Sequence, residues 1–242
     1  MQAVTYGQID NKVRKDLDLQ DTDNFIGNDE MAGYANDAID LVEAIILKID
    51  EDYFSTRATL SLVQGTSDIL LPSDMYAQKI RALNYVNGTR IYPVKRVKDP
   101  NSFLAMEMAN QQINGSEEYS YVLRMDSGSA QAVLEIVPTP YESGALLKLR
   151  YIRNAQRVPL IEEGSNRAAQ IATILDIPEW RICLEQYMKM RCYEKMKDKV
   201  AEEKAEKKFK DLLVSMTDTL TARTPDRDDV LPQDLSHYEE MN

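Results

Sequence analysis

Residues 178–223 read PEWRICLEQYMKMRCYEKMKDKVAEEKAEKKFKDLLVSMTDTLTAR, and nowhere else in the chain do helix signals run so long without interruption. Pro178 suits a first helical turn, where its missing N–H would lack a partner anyway, and Glu179 complements the positive end of the helix dipole. Cys183, Tyr187 and Met190, then Ala205, Phe209, Leu212, Leu213, Met216 and Leu220, recur at spacings of three and four and mark an apolar stripe. Between them KMKDKVAEEKAEKKFK is nearly all charge, with Glu203 to Lys207 and Glu206 to Lys210 set as favourable i,i+4 pairs. The expectation is one continuous helix whose middle turns face water. Its apolar ends pack either on its own domain or against neighbouring subunits.

Working outward, Thr5 and Gln8 have the spacing of a capping box, and Ile9, Val13 and Leu17 follow as a short helix. After the linker DLDLQDTDNFIGND, a cap at Asn28 or Asp29 opens a second, amphipathic helix marked by Met31, Tyr34, Ala35, Ala38, Ile39, Val42, Ile45, Ile46 and Ile49. From Thr56 the period changes to two. Asn87-Gly88 between KIRALNYV and TRIYPVKRV predicts a two-residue type I′ hairpin. YSYVLRM, AVLEIVP and LLKLRYIRN add further alternating runs, so about six strands form an antiparallel β region, with an inserted helix near 99–114. The predicted class is α+β. Its parts are N-terminal helices over 1–57, the β region over 58–160, a linker and C-terminal helix over 161–223, and an extended acidic tail over 224–242.

The chain of 242 residues has a net charge of −11. Residues 1–54 carry −9 and residues 224–242 carry −5, so the acid sits at the ends and the body is about +3. That balance argues against a generic nucleic-acid clamp, which needs a basic face to release counterions. The first twenty residues lack an apolar signal core, and no run of apolar residues is long enough to span a bilayer, so neither a signal peptide nor a membrane span is expected. Cys183 and Cys192, nine apart on a helix, fall on opposite sides about 13 Å apart along the axis and cannot bridge each other. They read as inert thiols of a reducing compartment.

Catalytic and ligand signals are absent. The one histidine, His237, lies in the tail, no Ser-His or Cys-His arrangement falls inside the fold, and no zinc spacing occurs. Counting from Asp21 puts Phe25 and Ile26 where a calcium loop needs a ligand and a glycine. The glycines are isolated, so no phosphate cradle forms. No enzyme activity, cofactor or metal is expected. In the tail, Pro225 and Pro232 prevent a continuous helix, while Leu231, Leu235 and Tyr238 are spaced four and three apart and could offer one apolar face to a partner.

Four stretches in this order carry a resemblance: MAGYANDAIDLV at 31–42, GTSDILLPSDM at 65–75, LEIVPTPYESGALLKLRYIRN at 134–154, and Ala205, Phe209 and Leu212 in the C-terminal helix. Together they resemble the head-to-tail adaptor family of short-tailed bacteriophages, from residue 5 to about 223. Ile69 stands where the family often has an aromatic, GSEEY replaces its "G.P..Y", and residues 98–118 look inserted. The resemblance implies a structural virion protein of the neck or tail, present in host cytoplasm during assembly. It further implies a homo-oligomeric ring, customarily a dodecamer, bound to portal protein and to a tail, nozzle or other neck protein, with a channel that passes DNA without sequence-specific binding. The alternatives are a different neck or tail protein and a non-viral binding or regulatory module.

Overall fold

The computed structural model describes residues 3–19, 25–97, 119–125, 131–137, 139–140, 144–161 and 167–223, with only the backbone of Arg90. The helix expected near 99–114 and the tail 224–242 lie outside the described residues. The chain folds α+β and divides into two compact units. A helical unit takes residues 1–53 and 155–242, and a sheet unit takes residues 54–154.

In the helical unit, β1 (Val4–Thr5) pairs antiparallel with β10 (Ile174–Leu175). Gln8 Oε1 accepts the Thr5 N–H at 3.1 Å and starts α1 (Tyr6–Asp16). The second helix, α2 (Asn28–Ile49), begins after Gly27. A short α3 (Ala168–Ala172) and a 3₁₀ turn (Pro178–Trp180) lead to α4 (Arg181–Met196) and α5 (Lys199–Arg223).

The continuous helix expected over 178–223 is therefore two helices, and the break has a local cause. Lys197 takes a left-handed conformation, φ +59°. Its N–H bonds the Glu194 carbonyl and the Asp198 N–H bonds the Tyr193 carbonyl, each at 3.1 Å, which is the Schellman pattern with Lys where Gly is usual. Asp198 then caps the next helix, its Oδ1 accepting the Ala201 N–H at 3.1 Å. The two helices run antiparallel, since Arg223 at the end of α5 pairs with Glu179 just before α4 at 2.7 Å. Midway, Tyr187 and Phe209 meet edge to face with centroids 5.3 Å apart. The core of the unit sets Leu184, Met188 and Cys192 of α4 with Met31, Ile39, Val42 and Ile46 of α2, together with Phe209, Met216 and Leu220 of α5.

The sheet unit holds β2 (Ser55–Ser61), β3 (Asp68–Leu70), β4 (Met75–Asn87), β5 (Arg90–Pro93), β6 (Lys95–Arg96), β7 (Ser120–Met125), β8 (Ala132–Val137) and β9 (Leu146–Arg153). They form two sheets, ordered β2-β9-β4-β5 and β3-β8-β7-β6. All pairs are antiparallel but β6 with β7, which is parallel. More strands appear than the sequence suggested because TRIYPVKRV is not one strand. The chain leaves the first sheet after Val94, whose N–H still bonds the Leu83 carbonyl at 2.8 Å, and Lys95 joins the second sheet opposite Ser120. Leu83, Tyr85, Leu147 and Leu149 from one sheet and Tyr121, Leu134 and Ile136 from the other form a single core. The Tyr85 and Tyr119 rings lie 4.3 Å apart within it. The two ends of the unit touch, the Arg153 N–H donating to the Phe54 carbonyl at 3.2 Å.

The β4-β5 hairpin is shifted from the expected register. Asn87 pairs with Arg90, leaving Gly88 and Thr89 in the loop, and of these Gly88 alone has positive φ, as type II′ and not type I′ requires. Placing Asn87-Gly88 in the loop would set Tyr85 opposite Arg90. The observed register sets it opposite Tyr92, 6.3 Å between rings, and keeps Tyr85 in the core.

The left-handed Lys197 yields a direct prediction. Lys197→Gly removes a Cβ from a conformation that disfavours one and is expected to stabilise by about 0.5–1 kcal/mol, while Lys197→Val destabilises by at least as much. Urea unfolding midpoints of the helical unit measure both, and a Gly variant no more stable than the parent contradicts the turn.

Candidate functional site

Three polar residues of α2, Asp29, Asn36 and Glu43, stand seven apart, and each holds a backbone group of the extended segment 155–161. A Glu43 carboxylate oxygen accepts the Ala155 N–H. Asn36 is bidentate, its Oδ1 accepting the Val158 N–H at 2.8 Å and its Nδ2 donating to the Val158 carbonyl at 2.9 Å. Asp29 Oδ1 accepts the Ile161 N–H at 3.0 Å. Seven helical residues advance about 10.5 Å and three extended residues about 10 Å, so the two spacings match and the segment runs antiparallel to the helix. Gln170, from α3, closes the far end by donating to Asp29 at 3.1 Å and to the Pro159 carbonyl at 2.9 Å. Arg157 reaches back to Asp40 and Glu43. Asn36 lies in a motif that carried the resemblance, but its partner 122 residues away had no signal of its own.

A second polar cluster fixes the first helix. Asp10, 0% exposed, receives Arg14 Nε at 3.0 Å and pairs with Arg167. Arg14 also donates to Asn28 Oδ1 at 3.1 Å, joining α1 to the start of α2. Around it, Lys12–Glu185, Lys195–Glu30 and Lys189–Asp16 tie the first two helices to α4. Burial opposes the charge on Glu30, but hydrogen bonds from Lys195 and Tyr34 outweigh it and hold this carboxyl below its ordinary range.

Neither thiol is activated. Burial pushes Cys183 up to about 11 and Cys192 up to about 12, and both are free and buried. Cys192 lies 3.5 Å from the Met31 sulfur. Among the described residues no group of three His, Cys, Asp or Glu is placed to hold a metal, and no helix is long and apolar enough to cross a membrane. His237 and the proposed anchors Leu231, Leu235 and Tyr238 lie outside the described residues.

The sheet unit differs from the rest in charge. It holds 11 Lys and Arg and 9 Asp and Glu of the chain's 29 and 40, a net +2 that leaves −13 on the helical unit. Its two sheets also differ. On the β3-β8-β7-β6 sheet, Arg124 is matched by Asp68 and by Glu135 at 3.3 Å. The strands of the β2-β9-β4-β5 sheet contain no Asp or Glu at all. On its outer face Arg57 and Arg150 stand directly opposite each other, with Lys148 two residues along. These line a shallow groove of about 380 Å³ with Thr59, Ala82 and Asn84.

Comparison with known families finds one described as SU10 adaptor protein, whose model matches residues 4–230 and so spans both units. No curated protein matches the chain.

The α2 ladder is testable by its middle rung. Asn36→Ala strands the Val158 N–H and carbonyl beside a buried side chain and is expected to cost about 2 kcal/mol. Asn36→Asp keeps the acceptor but loses the donor, and is expected to cost less at neutral pH. Amide hydrogen exchange at Val158 and Ile161 should accelerate in both, and unchanged protection would show the ladder to be incidental.

Proposed function

The chain belongs to the SU10 adaptor protein family, a phage head-tail adaptor family, and we propose that it forms a ring beneath the portal that connects it to the tail and leaves a channel for DNA. The observation that carries this reading is the family match over residues 4–230. The geometry agrees with a structural role. Its helical unit is held by long-range polar pairs, its thiols are buried and unreactive, and its polar clusters satisfy backbone and each other without presenting an activated group.

On this reading the protein sits in the virion neck and is made and assembled in host cytoplasm, with no turnover chemistry, cofactor or metal. The ring is a homo-oligomer, a dodecamer by likeness to the family, with portal protein on one side and a tail, nozzle or other neck protein on the other. DNA passes through without sequence-specific binding, and the acidic helical unit disfavours adhesion to phosphate. Leu231, Leu235 and Tyr238 are the proposed anchors of the tail on the portal. They lie just past the matched span.

Electron microscopy of the protein mixed with its portal is expected to show rings seated on the portal. Binding to a tail protein but not to portal would make it a different neck or tail component, and a species that stays monomeric or dimeric with portal present would remove the adaptor reading. Deleting residues 224–242 is expected to weaken portal co-sedimentation at least about tenfold, two or three buried anchors each contributing about 1–2 kcal/mol. Undiminished binding would leave the interface to the body alone.

A further inference from the structure

We propose that the outer face of the β2-β9-β4-β5 sheet is a docking surface for a carboxylate-rich polypeptide segment of another virion protein. The inference deepens the adaptor reading and takes from it only that the partner is a virion protein.

The charge pattern points to an anionic occupant. In a chain of net −11, four strands carry no carboxylate, and among the described residues neither Arg57 nor Lys148 has an acidic partner. Arg150 donates to the Ser55 hydroxyl at 2.9 Å, a neutral acceptor. Like charges directly opposite across a strand pair, as Arg57 and Arg150 are, destabilise the pair. On the other sheet of the same unit Arg124 is answered by two carboxylates, although Lys95 and Arg96 at its edge are exposed as well. A set of cations left unanswered on a face whose strands hold no carboxylate is complementary to a ligand that brings the carboxylates.

The size of the face favours a polypeptide over duplex DNA. Lys148 and Arg150 are two residues apart on one strand, about 6.8 Å, and an extended partner presents alternate side chains at that same repeat. Strands spaced about 4.8 Å apart make the three-stranded patch only about 10 Å from outer strand to outer strand, enough to neutralise few phosphates, while −13 on the helical unit repels a long polyanion. A second copy of the chain is the weaker occupant, because carboxylates of its helical unit are already engaged. Asp10, Asp16, Glu30, Glu43, Glu179 and Glu185 all pair within that unit.

The test uses the full chain and fluorescence anisotropy with three labelled probes: an alternating Glu-Thr peptide of about 12 residues, the peptide of residues 224–242, and a duplex of about 20 base pairs. The Glu-Thr peptide is expected to bind best and to weaken as salt rises. Combined Arg57→Glu, Lys148→Glu and Arg150→Glu is expected to lose at least about tenfold in affinity, while Lys204→Glu with Lys207→Glu on exposed α5 loses little. Should the triple variant misfold, Lys148→Gln alone is expected to lose about threefold with an unchanged circular dichroism spectrum. No binding by the parent, or equal binding by the variants, overturns the proposal. So does tighter binding of the duplex, which reassigns the face to nucleic acid, or of the 224–242 peptide, which reassigns it to this chain. Portal binding by the triple variant, read in parallel, separates the two ideas. Portal rings that form while peptide binding is lost support both, and a parent that binds peptide but not portal overturns the adaptor reading alone.

Discussion

The match between a seven-residue repeat on a helix and a three-residue repeat on an extended chain is the constraint on which the helical unit depends. Among the described residues no strand neighbours 155–161, and their backbone groups would otherwise need water or strain to be satisfied. Asp29, Asn36 and Glu43 substitute for that strand. They form one stripe along α2, and the stripe beside it buries Met31, Ile39, Val42 and Ile46. One helix thus does two jobs with two faces, and the chain that returns from the sheet unit is seated before α4 and α5 add the rest of the core.

What the sequence showed depended on range. The elements set by local pattern were readable: the capping box at Thr5, the apolar face of α2, the strands at period two. The family resemblance rested on motifs in both units, and the family match agrees with it. The break at Lys197 was hidden because its marker, Asp198, sits in a charge run where every residue looked like solvated helix and no glycine announces the left-handed turn. The hairpin erred by one residue for a different reason. Turn propensity at Asn87-Gly88 competed with burial of Tyr85, and burial decided the register.

Sites were less legible than elements, since each is assembled from distant segments. Asn36 and Val158 are 122 residues apart, and nothing in either stretch names the other. The cations of the outer sheet face are spread over β2 and β9, and only the strand order β2-β9-β4-β5 brings Arg57 opposite Arg150. Overall charge concealed them, because a net −11 averages a helical unit of −13 with a sheet unit of +2. Such a separation within one chain supplies two chemically different surfaces.

The hydrogen bond from Arg153 to Phe54 means that the sheet unit enters and leaves the helical unit at one place. A segment whose ends are already adjacent can be exchanged for another of different length while the host keeps its loop closed. The sheet unit is therefore a cassette inserted in the sequence of the helical unit, so related chains can vary the cassette without redesigning its host. The same nesting orders synthesis. Helix α2 leaves the ribosome with its apolar face uncovered, and its partners in α4 follow more than a hundred residues later. Completion of the core is thereby deferred until the cassette has been made.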